Sequence, residues 1–185
     1  MIKARRKLMG LMLATMAGTS MAADFAGGGA GPIPDSNPTG LTVSFNVSGI
    51  SSGVGRLALK LDLAHTFVGD LEATLRAPGG VAQLVVFGRV GRTPAFTLGR
   101  SANLGGVYEF SDRATADLWA TAATLTSSET VPPGAYRTSG AGVAGTWRGG
   151  CTTWLAGAFA GLTGAQVNGT WTLTIADRVG GDTGS

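Results

Sequence analysis

Several residue types that define common classes of site are scarce in this chain. Its 185 residues include one cysteine and one histidine, and Asp, Glu, Lys and Arg together make up 14%. A single cysteine excludes an internal disulfide, and one histidine with one cysteine leaves almost no ligand set for zinc. No D-x-D-x-D-G sequence occurs, which excludes an EF-hand. A disulfide-stapled domain and an ordinary zinc protein are therefore both excluded.

A long apolar run is also missing. Four basic residues between positions 3 and 7 precede an apolar run over residues 8–18, and small residues flank position 21. A transmembrane helix needs about 20 apolar residues, so a membrane anchor is the weaker alternative. The pattern predicts a secretory signal peptide over residues 1–22, of bacterial type, with cleavage after Ala22. The chain is therefore expected to be secreted or periplasmic.

The charge of the chain depends on this leader. The full sequence has a formal net charge of +3, but four of its 14 basic residues and none of its 11 acidic residues lie in the first 22 positions. The processed chain would carry 10 basic and 11 acidic residues, a net charge of −1. This balance does not support a basic surface for nucleic acid.

Domain organisation is expected to be simple. Residues 23–31 are rich in Gly and Ala without periodicity and predict a flexible linker, and residues 32–185 predict one domain. The lone Cys151 is either buried between Trp147 and Trp154 or paired with a group outside this chain. No internal partner exists for it.

The chain is rich in turn-forming residues and in short segments where apolar and polar residues alternate. Gly and Pro account for 31 and 7 residues. Apolar residues alternate with polar ones over residues 43–47, 57–63, 71–75 and 171–175, and a more fully apolar stretch covers residues 81–87. Period-two alternation is typical of strands with one buried face. The sequence predicts an all-β, antiparallel sandwich of the jelly-roll type.

Two motifs at opposite ends of the predicted domain are the most specific signals. The first is H-T-F-V-G-D-L-E-A-T-L-R-A-P-G-G over residues 65–80, and the second is N-G-T-W-T-L-T-I-A-D-R-V-G-G-D-T-G over residues 168–184. Both resemble signatures of the P domain, also called the P/Homo B domain, of proprotein convertases. Ile33-Pro34-Asp35 resembles the usual entry to such domains in bacterial proteins.

This resemblance implies a galactose-binding-like jelly roll that usually follows a subtilisin-like serine protease domain and stabilises it. The chain departs from the family pattern in two ways. No subtilisin-like domain precedes the motifs, and the family continues after G-D-T-G with a tryptophan-bearing strand, whereas this sequence ends at Ser185. The last strand is therefore expected to be missing.

His65 is the only histidine that could act in catalysis. A Ser-His-Asp site needs a histidine between a nucleophile and a carboxylate, with Asp62 or Asp70 as the nearest acids. The resemblance implies instead a turn histidine that ties a loop together. Residues 49–53 match the G-x-S-x-G pattern, but another predicted strand follows where that pattern needs a helix, so they predict a turn. No catalytic residue is assigned.

Two binding hypotheses remain. Asp70, Asp177 and Asp182 are candidate calcium ligands in Gly-rich turns, and the alternative is that they cap those turns by accepting backbone N–H groups. Trp119, Trp147 and Trp154 would stack on sugars if exposed, and otherwise fill a core.

The sequence therefore predicts a secreted, non-catalytic P/Homo B module that stabilises a subtilisin-like serine endopeptidase in cis or in trans, or acts as an exported interaction module. The alternative is a cell-surface adhesive module that binds calcium or carbohydrate and has no protease partner. No nucleic-acid partner, membrane anchor or cofactor other than calcium is expected.

Overall fold

The structure is a computed structural model that describes residues 10–15, 22–139 and 154–185. Cys151 and Trp147 lie outside the described residues, so the two hypotheses about Cys151 stay predictions. Among the described residues, no helix is long and apolar enough to cross a membrane.

Within the described residues, ten strands form a single curled sheet, which confirms the all-β prediction. The strands are β1 (Gly10–Thr15), β2 (Ala22–Gly28), β3 (Leu41–Val47), β4 (Val54–His65), β5 (Leu71–Arg76), β6 (Gln83–Gly88), β7 (Leu104–Ser111), β8 (Ala116–Asp117), β9 (Gly134–Arg137) and β10 (Gly169–Asp177). Their spatial order is β6-β5-β10-β3-β2-β1-β4-β7-β9-β8. All pairs are antiparallel except β7–β9 and β8–β9, which are parallel.

Helical structure in the described residues is limited to short pieces. These are α1 (Leu118–Ala123), α2 (Gly164–Val167) and single 3₁₀ turns at Val68–Asp70, Pro78–Gly80 and Gly157–Phe159. Asp117 caps α1 by accepting the backbone N–H groups of Trp119 and Ala120 at 2.8 and 3.1 Å.

The sheet curls so that its two halves pack face to face. β6 and β7 are seven places apart in the sheet order, yet the rings of Phe87 and Phe110 on these strands stack with centroids 5.2 Å apart. This contact across the interior gives the molecule its sandwich-like architecture, because the inward faces of both halves share one core.

Alternation along the chain explains which faces meet in this core. On β4, Leu57, Leu59, Leu61 and Leu63 are buried, while Lys60 between them is exposed. Burying one such leucine contributes roughly 2 kcal/mol, so the inward row fixes the register of the strand. The predicted strands at residues 43–47, 71–75, 81–87 and 171–175 correspond to β3, β5, β6 and β10.

The predicted linker is wrong over most of its length. Ala22–Gly28 forms β2, which pairs with five residues of β1 and, through Gly27 and Gly28, with β3. Ala23 and Phe25 are partly buried against the core. The small residues that suggested a linker allow close strand packing, and the ladder with β1 satisfies their backbone groups.

β1 belongs to the segment that the sequence assigns to the leader. It lies between β2 and β4, with Leu11 fully buried opposite Leu59. The signal peptide stays a prediction, but in this structure of the full chain its residues 10–15 form part of the sheet.

Candidate functional site

The two sequence motifs meet at one end of the sandwich. β4 ends at His65 and β10 ends at Asp177, and the chain after β10 returns along the end of β4. Ala64 and Ser185 exchange backbone hydrogen bonds of 3.0 and 2.8 Å. We call this junction of residues 64–70 with residues 177–185 the motif junction.

His65 lies at the centre of the motif junction, with its side chain fully buried. Its Nε2 is 3.1 Å from Oδ2 of Asp177, and its Nδ1 accepts the backbone N–H of Phe67 at 3.1 Å. The same Nδ1 lies 3.0 Å from the backbone oxygen of Phe67. Both ring nitrogens are therefore used within the protein.

The two aspartates of the second motif are also hydrogen-bonded. Oδ1 of Asp177 accepts the backbone N–H of Val179 at 3.0 Å, so both of its oxygens have partners. Oδ1 of Asp182 accepts the hydroxyl of Thr66 at 2.7 Å, and that hydroxyl oxygen accepts the N–H of Thr183 at 3.2 Å. The contact of Asp177 with Val179 matches the turn-capping role that the sequence allows, whereas Asp182 accepts a side-chain hydroxyl of the first motif.

Asp70 is the exception within the motif junction. It is 1% exposed, and its Oδ1 has no hydrogen-bond partner. Burial, with a further contribution from the nearby charge of Asp177, raises the pKa of Asp70 from 3.8 to about 7. The backbone oxygen of Asp70 accepts the N–H of Arg178 at 2.9 Å, which joins the two motifs a second time.

Gly69 explains why the first motif needs a glycine. A Cβ at this position would lie 2.7 Å from both the backbone nitrogen of Arg100 and the backbone oxygen of Leu98. The N–H of Gly69 donates to Arg100 O at 2.9 Å. The motif turn and the loop over residues 89–100 are therefore packed backbone to backbone.

The geometry does not assemble a hydrolytic site around His65. Asp62 lies on β4, but the carboxylate that contacts the ring is Asp177, and the other ring nitrogen faces the backbone of Phe67. A nucleophile would have to displace one of these partners. Residues 49–53 connect β3 directly to β4 without a helix, as the sequence predicts for this G-x-S-x-G match.

The predicted calcium ligands are only partly available for a cation. Within the described ranges, no group of three or more His, Cys, Asp or Glu side chains is arranged to hold a metal. Asp177 and Asp182 already accept hydrogen bonds, and only Asp70 offers a buried oxygen without a partner. This arrangement fits turn stabilisation better than a full calcium site.

The tryptophans are placed differently from one another. Trp119 is partly buried and packs against the core, whereas Trp154 is 70% exposed. Trp154 borders a groove of about 610 Å³ that also includes Met12, Arg56, Glu109 and Arg113. Of the two candidate tryptophans that the structure describes, only Trp154 is presented to an external ligand.

Comparison of the chain with family models, with curated proteins and with solved structures gives no match. The resemblance of the two motifs to the P/Homo B signatures is therefore a hypothesis about function that depends on the residues themselves.

The sequence does not single out two arginines that lie beside the motif junction, Arg178 and Arg89. Arg178 donates to Oε1 of Glu72 at 2.6 Å, and Arg89 is 5% exposed at the end of β6. Arg178 lies in the second motif but carries no predicted role there, and Arg89 lies outside both motifs. The available signal is the charge distribution, because the sequence between Glu72 and Glu109 contains four arginines and no acidic residue.

Proposed function

We propose that this chain is a secreted, non-catalytic P/Homo B-like module that binds and stabilises a subtilisin-like serine endopeptidase. The proposal combines the two sequence motifs with a sandwich-like all-β fold. In this proposal the module supplies a rigid binding surface, and the protease hydrolyses the peptide bond.

One observation carries the proposal. The histidine of the first motif and the aspartates of the second motif join distant parts of the chain, with His65 and Asp177 3.1 Å apart in a fully buried contact. A general base must reach a proton of the substrate or of the nucleophile. The imidazole of His65 is buried and both of its nitrogens contact other protein atoms, so it does not reach such a proton. The motif residues are therefore structural.

The first test is the absence of activity. Purified chain is incubated with casein and with a dibasic peptide, and we expect no cleavage above the buffer rate. His65→Ala is the matched control. Cleavage by the wild-type chain that is lost in His65→Ala would overturn the non-catalytic assignment.

The second test is stabilisation. The chain is mixed with each subtilisin-like endopeptidase secreted by the source organism, at a temperature where the protease alone loses activity. We expect a longer activity half-life for at least one protease, because a partner that binds only the folded state stabilises it. Heat-unfolded chain is the control. An unchanged half-life with every protease contradicts the proposal.

A second candidate function is favoured by Trp154. An aromatic ring that is 70% exposed beside a polar-rimmed groove is the kind of platform on which a sugar ring stacks. This candidate is an adhesive module for carbohydrate, with calcium at Asp70 as an optional ligand. Glycan-array binding that is lost in Trp154→Ala and kept in Trp119→Phe would support it over the protease partner.

A further inference from the structure

A pocket of about 400 Å³ lies beside the motif junction, between the end of β6, the chain after β10 and the loop over residues 89–100. Its lining combines three arginines with one acid and an apolar rim: Glu72, Arg89, Arg92, Thr97, Leu98, Arg178 and Val179. We call it the arginine pocket.

The arginine pocket carries excess positive charge. The only ion pairs formed within the described parts of the chain are His65–Asp177 and Arg178–Glu72. Arg178 is therefore matched by Glu72, while no carboxylate of the described residues lies within 4.0 Å of Arg89 or Arg92. Asp70 and Asp177 act on Arg89 only from a greater distance. An anion placed in the pocket would meet two guanidinium groups that have no carboxylate partner.

Arg89 is the more unusual of these two groups. Its side chain is buried, its Nε has no hydrogen-bond partner, and its Nη2 donates to the backbone oxygen of Thr97 at 3.3 Å. Burial and the neighbouring charge of Arg92 lower the pKa of Arg89. A buried, incompletely hydrogen-bonded charge is costly, and a bound anion would offset that cost.

The backbone at Arg89 is strained as well. Its φ of 48° lies in the left-handed region, which few residues other than glycine adopt. Such conformations are unfavourable and persist where the surrounding structure holds them, often at ligand sites. At this residue the backbone N–H of Arg89 donates to Leu71 O at 2.8 Å, and its backbone oxygen accepts the N–H of Arg92 at 2.9 Å.

The loop that carries these arginines is preorganised. Arg100 N donates to Val90 O at 2.8 Å, and Gly69 N donates to Arg100 O at 2.9 Å. The backbone that carries Arg89 and Arg92 is therefore held before any ligand arrives, which lowers the entropy cost of binding.

An apolar rim adjoins the charged floor. Phe96 and Leu98 are 58% and 54% exposed, and the guanidinium carbon of Arg100 lies 5.5 Å from the centroid of the Phe96 ring. Inorganic ions make no use of such a rim, whereas a peptide places an apolar side chain next to a carboxylate. Glu72 further disfavours a doubly charged phosphate compared with a singly charged carboxylate.

We propose that the arginine pocket binds an acidic segment of a partner polypeptide, with its carboxylate on Arg89 and Arg92 and a neighbouring apolar side chain on Phe96 and Leu98. This inference rests on the proposed function as a protein-binding module, and it names the chemistry of the partner.

The experiment uses two rhodamine-labelled peptides that differ only in charge, Gly-Leu-Glu-Leu-Gly-amide and Gly-Leu-Gln-Leu-Gly-amide, with binding followed by fluorescence anisotropy. We expect the Glu peptide to bind at least tenfold more tightly, since a charge-assisted hydrogen bond contributes about that factor. Arg92→Gln should remove this preference, and Leu98→Ser should weaken both peptides. Arg56→Gln, on β4 in the other half of the sheet, is the matched control and should bind like wild type.

Three outcomes overturn the inference. These are equal binding or no binding of the two peptides, unchanged binding in Arg92→Gln, and displacement of the Glu peptide by inorganic phosphate at concentrations where acetate has no effect. Protease stabilisation is measured separately with wild-type chain. If stabilisation is seen without peptide binding, the proposed function stands and only this docking site is wrong.

Discussion

Nε2 of His65 lies 3.1 Å from Oδ2 of Asp177, although the two residues are 112 positions apart in the chain. Both side chains are fully buried. The contact joins the ends of β4 and β10, which belong to opposite halves of the curled sheet. The histidine therefore closes the motif junction.

Removal of this contact should destabilise the protein. His65→Ala leaves the carboxylate of Asp177 buried without one of its partners, and we expect a loss of about 2–4 kcal/mol in the free energy of unfolding. Urea denaturation measures it. In the double variant with Asp177→Asn the added loss should be small, because the two residues share one interaction. Fully additive losses would show that the two side chains act independently.

Stability should depend on pH through Asp70. Its pKa of about 7 in the folded chain exceeds the ordinary value of 3.8, so the folded state binds more protons between these values. The contribution of this group to stability is complete below pH 3.8 and is lost as the pH rises through 7. We compare the free energies of unfolding of Asp70→Asn and of wild type. We expect the difference between them to shift by about 2 kcal/mol in favour of Asp70→Asn when the pH is raised from 4 to 8. Urea denaturation at both pH values, with chelator present, checks this. Parallel pH profiles of wild type and Asp70→Asn would contradict it.

Calcium should have little effect if the motif acids are turn residues. Asp177 and Asp182 already accept hydrogen bonds. We expect the same melting temperature with chelator and with millimolar calcium. A melting temperature that is higher with calcium than with chelator, and a difference that disappears in Asp70→Asn, would instead show that the predicted calcium site forms.

Gly69 should not tolerate a side chain. Gly69→Ala places a Cβ 2.7 Å from two backbone atoms of the loop over residues 89–100, so that loop must move. We expect a loss of about 2 kcal/mol, typical of overpacking. Gly161→Ala is the matched control, since a Cβ there meets nothing within 4 Å. Equal stability of the two variants would contradict the close packing.

Sequence reasoning predicts the strands that show period-two alternation and fails where pairing is the only signal. β4 is evident from its row of leucines. β9, however, is only four residues long and directly follows two prolines, so it has no alternating pattern of useful length. Three of its residues pair in parallel with β7, a contact that local sequence does not encode.

The candidate site is predicted in the same uneven way. The motifs identify His65, Asp70, Asp177 and Asp182 as members of special turns, but not that His65 contacts Asp177. Spatial contacts between residues so far apart in sequence depend on the sheet order, which alternation does not specify. Arg89 is missed because an arginine at a strand end is ordinary in sequence, and its burial exists only in the fold.

The position of β1 has a consequence for the predicted removal of the leader. Cleavage after Ala22, if it occurs, would withdraw an interior strand, so that Val54–Lys60 of β4 would lose their pairing with β1 and β2 would keep two residue pairs with β3. Withdrawal after folding would also expose the buried Leu11 and break the backbone hydrogen bonds of β1. Cleavage before the sheet closes would avoid these losses.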